Sequence, residues 1–243
     1  MTPPSPLARH STGTDKLLVD VAGAVAVVTI NNPGKRNALS SEIRAALPGL
    51  LGALQADGDV RVVVLTGAGD KAFASGADIS EFAERRTSPT ARAEYDRGQE
   101  TIYDALASLE KPIIAMIRGF CLGQGLLTAV RADIRIASDD GQFGIPAARL
   151  GLGPRFTSVA VLVDLVGPAW ASEILLSARR FPAAEALRMG LVNRVVPAVD
   201  LRDEVMGLAQ AETADHGDDG LVQAGQGAID RLLATVVFGA GGG

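Results

Sequence analysis

Strand-length apolar runs that alternate with helical patterns constrain the fold of this chain most. Residues 60–66 and 112–117 are such runs, residues 133–137 form a further strand, and the polar segment 91–109 is predicted to be helical. Strands that alternate with helices imply right-handed crossovers and a largely parallel sheet that is covered on both faces. The sequence therefore predicts an α/β fold whose functional residues lie on loops at the carboxyl ends of the strands.

The remaining elements complete one domain. Residues 17–21 and 25–30 are predicted to form a hairpin, and a helix is expected from Ser40, with Pro48 kinking it. A helix is expected after Gly125, and from residue 158 onward the chain is mainly helical, at 169–177, 183–189 and 201–211. The predicted organisation is a flexible tail without an export signal, a core, and a C-terminal helical segment with a Gly-rich end, at residues 1–16, 17–200 and 201–243.

The charge balance and the few metal-ligating side chains exclude several classes of function. A formal net charge of -5 argues against a nucleic-acid surface, which needs clustered positive charge. One cysteine, Cys121, with His10 and His216, leaves no intramolecular disulfide and few metal ligands, as expected in a reducing cytoplasm. The apolar segment 112–130 has Arg118 near its middle, so a membrane span is not expected. We therefore expect a cytoplasmic protein with no metal, no nucleic acid and no membrane as partner.

Two loops of small residues follow the predicted strands, residues 73–79 after the first buried strand and residues 119–125 after the second. The second loop opens a helix, whose first backbone NH groups form an anion site. If the loops lie side by side, NH groups from both converge on one oxygen. Close backbone packing explains the glycines at 123 and 125 equally well. A dinucleotide-binding fingerprint fits less well, because Thr128 stands where a third glycine is needed.

Several co-linear motifs extend this pattern over residues 17–197. They are Asn37-Ala38-Leu39-Ser40, residues 62–67, residues 73–79, Lys111-Pro112-Ile113-Ile114-Ala115, residues 119–125, residues 132–137, Phe143-Gly144-Ile145-Pro146, Leu150-Gly151-Leu152 and residues 183–197. In this order and spacing they resemble the crotonase superfamily, the enoyl-CoA hydratase/isomerase family. The resemblance implies a crotonase-type ββα spiral core with a C-terminal helical trimerisation region, assembled as a homotrimer or a dimer of trimers. It also implies an acyl-CoA thioester substrate of fatty-acid or related metabolism, with coenzyme A as part of the substrate and no separate cofactor.

The resemblance assigns roles to residues of both loops. The backbone NH groups of Ala77 and Gln124 would be the two donors of an oxyanion hole for the thioester oxygen. Each donor of this kind is worth about 3 kcal/mol in a transition state. Glycine is usual in the family where Gln124 stands, so its side chain is expected to crowd the acyl group. The substrate-binding residues implied are Lys35, Arg36, Ala38, Ala74, Gly76, Asp78, Ile79, Leu122, Gly123, Gly125, Leu127, Pro146 and Ala147.

Two of these assignments have simpler alternatives. Lys35 and Arg36 fit a solvated loop as well as they fit contact with CoA. Asp78 fits the cap of a short helix better than it fits chemistry, because a carboxylate next to an enolate would raise its energy.

The positions of the two hydratase glutamates are apolar in this chain. The resemblance places these general acid and base groups at Leu127 and Ala147, and neither side chain can transfer a proton. Each such group is typically worth 10²- to 10⁴-fold in rate, so ordinary hydration through that pair is not expected. Glu81 is the first replacement candidate, with Glu84 beside it, and Asp139 and Asp140 come second. All of them fit solvated surface charges at least as well.

Two functions of different classes follow. One is an enoyl-CoA hydratase- or isomerase-type enzyme that stabilises a thioester enolate at Ala77 and Gln124. The other is a catalytically silent acyl-CoA carrier or sensor, which the apolar residues Leu127 and Ala147 favour. A nicotinamide-dependent oxidoreductase is a distant third, because the dinucleotide fingerprint fails.

Overall fold

The computed structural model describes residues 10, 12–78, 81, 89–153 and 156–214, and every structural statement below concerns these residues. The predictions made for Ile79, Glu84, His216 and the Gly-rich end lie outside them. The strands are β1 Leu17–Ala22, β2 Val25–Ile30, β3 Val62–Gly67, β4 Ala72–Ala74, β5 Ile113–Ile117, β6 Phe120–Leu122, β7 Ile134–Ser138, β8 Gln142–Gly144, β9 Phe181–Pro182 and β10 Arg194–Val196. The helices are α1 Ser41–Ala56, α2 Pro89–Ala107, α3 Gln124–Ala129, α4 Phe156–Ser177, α5 Ala183–Arg188 and α6 Leu201–Ala214.

A six-stranded sheet in the order β1-β2-β3-β5-β7-β10 forms the centre of the fold. The hairpin of β1 and β2 is antiparallel, and the other pairs are parallel. Alternate residues of each central strand face opposite sides: Val63 and Leu65 join one apolar cluster, whereas Val62 and Val64 join another, which α6 covers. The predicted α/β fold with a doubly covered parallel sheet is thereby confirmed.

A second sheet, in the order β4-β6-β8-β9, is the part that sequence reasoning missed. Its strands have two or three residues each and lie largely in segments interpreted as loops. β3, β5 and β7 are each followed by one of these short strands and then by a helix or a 3₁₀ turn. This strand, short strand, helix repeat is the ββα unit that the family resemblance implies. The short strands β4 and β6 of the first two repeats lead the chain from the main sheet into the two candidate loops.

Helix α1 follows the predicted capping pattern. Ser40 is its N-cap, and the Ser40 hydroxyl accepts a hydrogen bond from the Ile43 NH at 3.4 Å. The helix continues through Pro48 to Ala56, so the proline does not end it. The expected apolar face, including Ile43 and Leu47, is buried.

Helix α4 is the apolar segment most similar in composition to a membrane span. Thr157–Ser177 has a mean hydropathy of 1.7, and 22% of its most apolar window is buried. Gly167 has φ 75° and ψ 165° and is followed by Pro168, so the backbone breaks here into two shorter helices. Neither part reaches the roughly 20 residues that a spanning helix needs.

Candidate functional site

The two candidate loops lie side by side because the short strands before them pair. β4 and β6 are parallel, with Ala72 opposite Phe120 and Ala74 opposite Cys121. A β-carbon on Gly125 would lie 2.4 Å from the Ala74 carbonyl oxygen, so only glycine allows this approach. A β-carbon on Gly76 would lie 3.3 Å from the Leu122 carbonyl oxygen and 3.9 Å from the Gln124 nitrogen. The backbones at residues 76 and 124 are therefore in direct proximity.

The bridge between Leu39 and Ala77 sets the direction of the Ala77 NH. The Leu39 NH donates to the Gly76 carbonyl at 2.8 Å, and the Asp78 NH donates to the Leu39 carbonyl at 3.4 Å. Successive peptide groups of an extended strand point to opposite sides. The Gly76 carbonyl and the Asp78 NH both point toward Leu39, so the Ala77 NH, which lies between them, points away from Leu39. Gly76, the residue before Ala77, lies next to Leu122 and Gln124.

Gln124 is the first residue of α3, and its NH is not part of the hydrogen-bond ladder of that helix. The ladder begins with the Leu127 NH, which donates to the Gly123 carbonyl at 3.0 Å. Gly123 has φ 52° and ψ −121°, a conformation that requires glycine, and its own NH donates to Gly144 at 2.8 Å. Because α3 has only six residues, its dipole is small, and an anion at this end of the helix would be bound mainly by individual NH groups.

Arg44 and Glu81 hold the Ala77 segment against α1. Arg44 is 5% exposed, and its guanidinium donates to the Leu39 carbonyl at 2.5 Å and to Glu81 at 3.2 Å. Both Glu81 carboxylate oxygens also accept from the Ser41 NH, at 2.9 and 3.1 Å, and one accepts from the Ser41 hydroxyl. These contacts give Glu81 a structural role as a cap of α1. Its acid/base role stays a prediction that would require breaking them.

The predicted CoA-binding cations lie on a turn next to the Ala77 segment. Lys35 pairs with the buried carboxylate of Asp78 at 2.7 Å, while 51% of the Lys35 side chain is exposed. Arg36 has a left-handed backbone with φ 51°, and its guanidinium lies 5.1 Å from the centre of the Phe120 ring. The structure thus gives Asp78 an ion-pair partner that sequence reasoning did not anticipate.

Asn37 is a structural residue of this turn that sequence reasoning missed. It is 1% exposed, and its side-chain amide donates to the carbonyls of Ala68 and Ala72 at 2.9 and 2.6 Å. Its φ of 56° is the left-handed conformation that asparagine tolerates better than most residues. The sequence signal that could have indicated this role is the asparagine directly after Lys35-Arg36, because asparagine is common where the backbone is left-handed.

The positions assigned to the two glutamates lie in an apolar environment. Leu127 is 5% exposed within the main core cluster, and Ala147, on the 3₁₀ turn Pro146–Leu150, packs against the same cluster. Cys121 is fully buried, which raises the pKa of its thiol well above the ordinary value. Asp140 accepts a hydrogen bond from the Gly119 NH at 3.3 Å, and Asp139 accepts one from the Ala198 NH at 3.1 Å. Both carboxylates therefore stabilise turns.

Within the described ranges, no group of three or more His, Cys, Asp or Glu side chains could hold a metal ion. Besides the residues discussed above, the predicted substrate-binding set includes two buried alanines, Ala38 and Ala74, and the half-buried Leu122 and Pro146. Ala74 and Leu122 belong to the paired strands that bring the loops together, and Ala38 precedes the Leu39 bridge.

Comparison with known proteins identifies the family. The family model described as "Enoyl-CoA hydratase/isomerase" matches residues 20–224. The short-chain-enoyl-CoA hydratase of Clostridium acetobutylicum is 40% identical over 195 residues, which are 80% of this chain and 74% of the relative. The crotonyl-CoA hydratase of Syntrophomonas wolfei is 36% identical over 195 residues, again 80% and 74% of the two chains.

A solved structure has the same fold. The crystal structure of an enoyl-CoA hydratase/carnithine racemase from Magnetospirillum magneticum has a TM-score of 0.85 and 35% identity, covering 90% of this chain and 81% of that one. Sequence and structure thus agree with the motif resemblance, and the chain belongs to the enoyl-CoA hydratase/isomerase family, within the crotonase superfamily.

Proposed function

We propose that this protein is an enoyl-CoA hydratase- or isomerase-type enzyme of fatty-acid or related acyl-CoA metabolism, which polarises the thioester carbonyl of its substrate with the NH groups of Ala77 and Gln124. The observation that carries the proposal is the approach of the two loop backbones, with Gly76 against Gln124. The Leu39 bridge, from which the Ala77 NH points away, supports it.

The chemistry follows from this pair of donors. Removing a proton next to a thioester, or adding a nucleophile to a conjugated enoyl thioester, moves negative charge onto the carbonyl oxygen. Two backbone NH groups held by paired strands stabilise that charge without reorganising during the reaction. Because Leu127 and Ala147 are apolar, the proton is transferred by another group or by a bound water.

The turn formed by Lys35, Arg36 and Ala38 is proposed to flank the CoA arm. Lys35 and Arg36 are cationic and lie on the turn beside the Ala77 segment, and positive charge there would attract the phosphates of CoA. Lys35 carries out this role while paired with Asp78, with half of its side chain open to solvent. Coenzyme A belongs to the substrate, so no separate cofactor is proposed.

One pair of variants tests the oxyanion hole directly. Gln124→Pro removes the backbone NH at the first position of α3, where proline is favoured in helices. The preceding Gly123, at φ 52° and ψ −121°, is the mirror image of the extended conformation that residues before proline adopt, so the change is sterically compatible. Gln124→Ala is the matched control, since it removes the same side chain and keeps the NH.

The readouts are the loss of enoyl-thioester ultraviolet absorbance across a series of chain lengths and the absorbance shift of a conjugated aryl-enoyl-CoA on binding. We expect Gln124→Pro to lower kcat by about 10²- to 10³-fold and to reduce the red shift, while Gln124→Ala retains both. Equal behaviour of the two variants would remove Gln124 from the proposed hole. Absence of turnover by the wild-type protein with every acyl-CoA would argue against the enzyme.

A catalytically silent acyl-CoA carrier or sensor is the second candidate. The buried, apolar surroundings of Leu127 and Ala147 favour it, because they hold ligand without supplying a proton donor. Calorimetric titration with saturated and unsaturated acyl-CoA separates the candidates: binding without turnover supports the carrier, and no binding eliminates both.

We propose that the protein assembles as a homotrimer or a dimer of trimers. The apolar helix α4, with 22% of its most apolar window buried, supplies surface for such contacts, including Leu176 at 80% exposure. Analytical ultracentrifugation tests this, and a monomer at micromolar concentration would contradict it.

A further inference from the structure

Arg131 is a half-buried arginine just after helix α3, and its side chain contacts three helices. Its guanidinium donates to the Leu127 carbonyl of α3 at 2.6 Å and to the Thr157 carbonyl of α4 at 3.0 Å. The guanidinium carbon also lies 3.4 Å from the centre of the Tyr103 ring of α2, well inside the range of about 6 Å over which a cation and an aromatic face attract each other. One side chain therefore joins α2, α3 and α4.

The bond from Arg131 satisfies a carbonyl at the end of a helix. The last carbonyls of an α-helix have no partner within the helix, and basic side chains near the C-terminus supply one. Burial lowers the pKa of the Arg131 guanidinium, but an arginine remains protonated at neutral pH, so the bond to the Leu127 carbonyl is charge-assisted.

A short series of hydrogen bonds connects Arg131 with the Gln124 NH. Leu127 accepts from Arg131 through its carbonyl, and its own NH donates to the Gly123 carbonyl at 3.0 Å. The Gly123 carbonyl and the Gln124 NH belong to the same planar peptide group. The position of Leu127 therefore affects the orientation of this peptide group, and with it the direction of the Gln124 NH.

Helix α3 depends on its surroundings for a fixed position. Its six residues are too few for a helix that is stable by itself, so tertiary contacts hold it. The approach of Gly125 to Ala74 holds its first turn. The apolar packing of Leu127 in the core is not directional, whereas the hydrogen bond from Arg131 fixes one particular carbonyl of this residue.

We propose that Arg131 is a positioning residue of the oxyanion hole, which holds Leu127 so that the Gln124 NH points at the thioester oxygen. The inference deepens the proposed function and rests on it, because it requires Gln124 to be one of the two donors. A misaligned donor loses stabilisation of the charge that develops in the transition state, while the rest of the substrate remains bound. Loss of Arg131 should therefore lower kcat more than it raises KM.

Three variants test the proposal. Arg131→Met keeps an unbranched apolar stem and removes the guanidinium, and Arg131→Lys keeps the charge but has an ammonium group in place of the planar fork. Arg194→Met is the matched control, because Arg194 is an exposed arginine of β10 that pairs with Glu204. The red shift and the dissociation constant of a conjugated aryl-enoyl-CoA are measured at saturation, with kcat and KM for enoyl-CoA and the thermal unfolding of each protein.

We expect Arg131→Met to reduce the red shift of the bound ligand and to lower kcat about tenfold. The KM and the dissociation constant should stay within about threefold of the wild-type values. Arg131→Lys should be intermediate in both red shift and kcat, and Arg194→Met should behave as the wild-type protein does.

The outcomes separate a positioning role from a purely structural one. An arginine that only stabilises the fold would lower the unfolding temperature and leave the red shift and kcat of the folded variant unchanged, and this result overturns the proposal. If Arg131→Met does not fold, a full wild-type red shift and kcat in Arg131→Lys overturns it instead. Failure of the wild-type protein to bind the aryl-enoyl-CoA overturns the proposed function together with this inference, whereas a wild-type red shift that the variants retain overturns the role of Arg131 alone.

Discussion

Arg44 and Glu81 form an ion pair, with 3.2 Å between nitrogen and oxygen, that joins helix α1 to the segment carrying Ala77. Arg44 also binds the carbonyl of Leu39, the residue that bridges to Ala77. A single buried guanidinium thus supports both the cap of α1 and one wall of the proposed oxyanion hole. The position of the Ala77 NH therefore depends on this ion pair.

Glu81→Gln should lower the free energy of unfolding by about 2 kcal/mol, because it removes an anion that pairs with the buried Arg44 and weakens the cap at Ser41. Urea titration measures this. Glu204→Gln is the matched control, since Glu204 pairs with Arg194 at 2.6 Å on the surface and should change stability by less than about 1 kcal/mol. If Glu81 is instead the acid/base group, kcat falls by 10²-fold or more and one limb of the pH–rate profile disappears.

Gly125→Ala should destabilise the protein by about 1–3 kcal/mol and weaken acyl-CoA binding, because its β-carbon would meet Ala74 at 2.4 Å and push α3 away from β4. Gly52→Ala is the control in an exposed part of α1, where a β-carbon meets nothing within 4 Å. That change should stabilise by up to about 1 kcal/mol. Thermal unfolding and calorimetric titration measure both effects, and a neutral Gly125→Ala would contradict the close approach of the loops.

Lys35→Met and Asp78→Asn should be energetically coupled. Asp78 is 5% exposed, so its ion pair with Lys35 is shielded from solvent on one side. A double-mutant cycle in urea should give a coupling energy of about 1 kcal/mol or more. The exposed pair of Lys16 and Glu42 is the reference and should couple more weakly. Additive effects at Lys35 and Asp78 would show that the pair contributes nothing to stability.

Cys121 should resist thiol reagents in the folded protein. Burial raises the pKa of its thiol, so almost no reactive thiolate exists near neutral pH, and reagents have no access to it. Reaction with a chromogenic disulfide should be slow in buffer and should accelerate in urea in step with unfolding. Rapid modification of the native protein would contradict the packing of β6 between β4 and β8.

Much of the main sheet could be predicted from the sequence. Strands such as β3 and β5 are long enough, and apolar enough on both faces, to be recognised from composition alone. The short strands β4 and β6 could not be recognised in this way. Their small residues have little intrinsic strand preference, and they pair because the main strands deliver them to the same place.

The candidate site likewise has features that could be predicted from the sequence and features that could not. Glycines at positions 76, 123 and 125 were visible in the small-residue loops, and the assignment of the Ala77 and Gln124 NH groups as oxyanion-hole donors, which the family resemblance implies, stays a prediction. The pairing of Arg44 with Glu81, 37 residues apart, was not visible, nor was that of Lys35 with Asp78. Ion-pair partners at such separations depend on how α1 and the loops are oriented, which no local pattern encodes.

The order of apolar runs, caps and glycines by itself determined the fold class and the two small-residue loops, because these depend on local periodicity and on backbone freedom, and the resemblance of the co-linear motifs indicated the family. Only the tertiary structure decided that Glu81 caps a helix and that both side-chain amide atoms of Gln99 are buried without a hydrogen-bond partner among the described residues. Those properties arise from which side chains the packed elements bring together, and the burial of a polar group acquires its energetic meaning only once its neighbours are known.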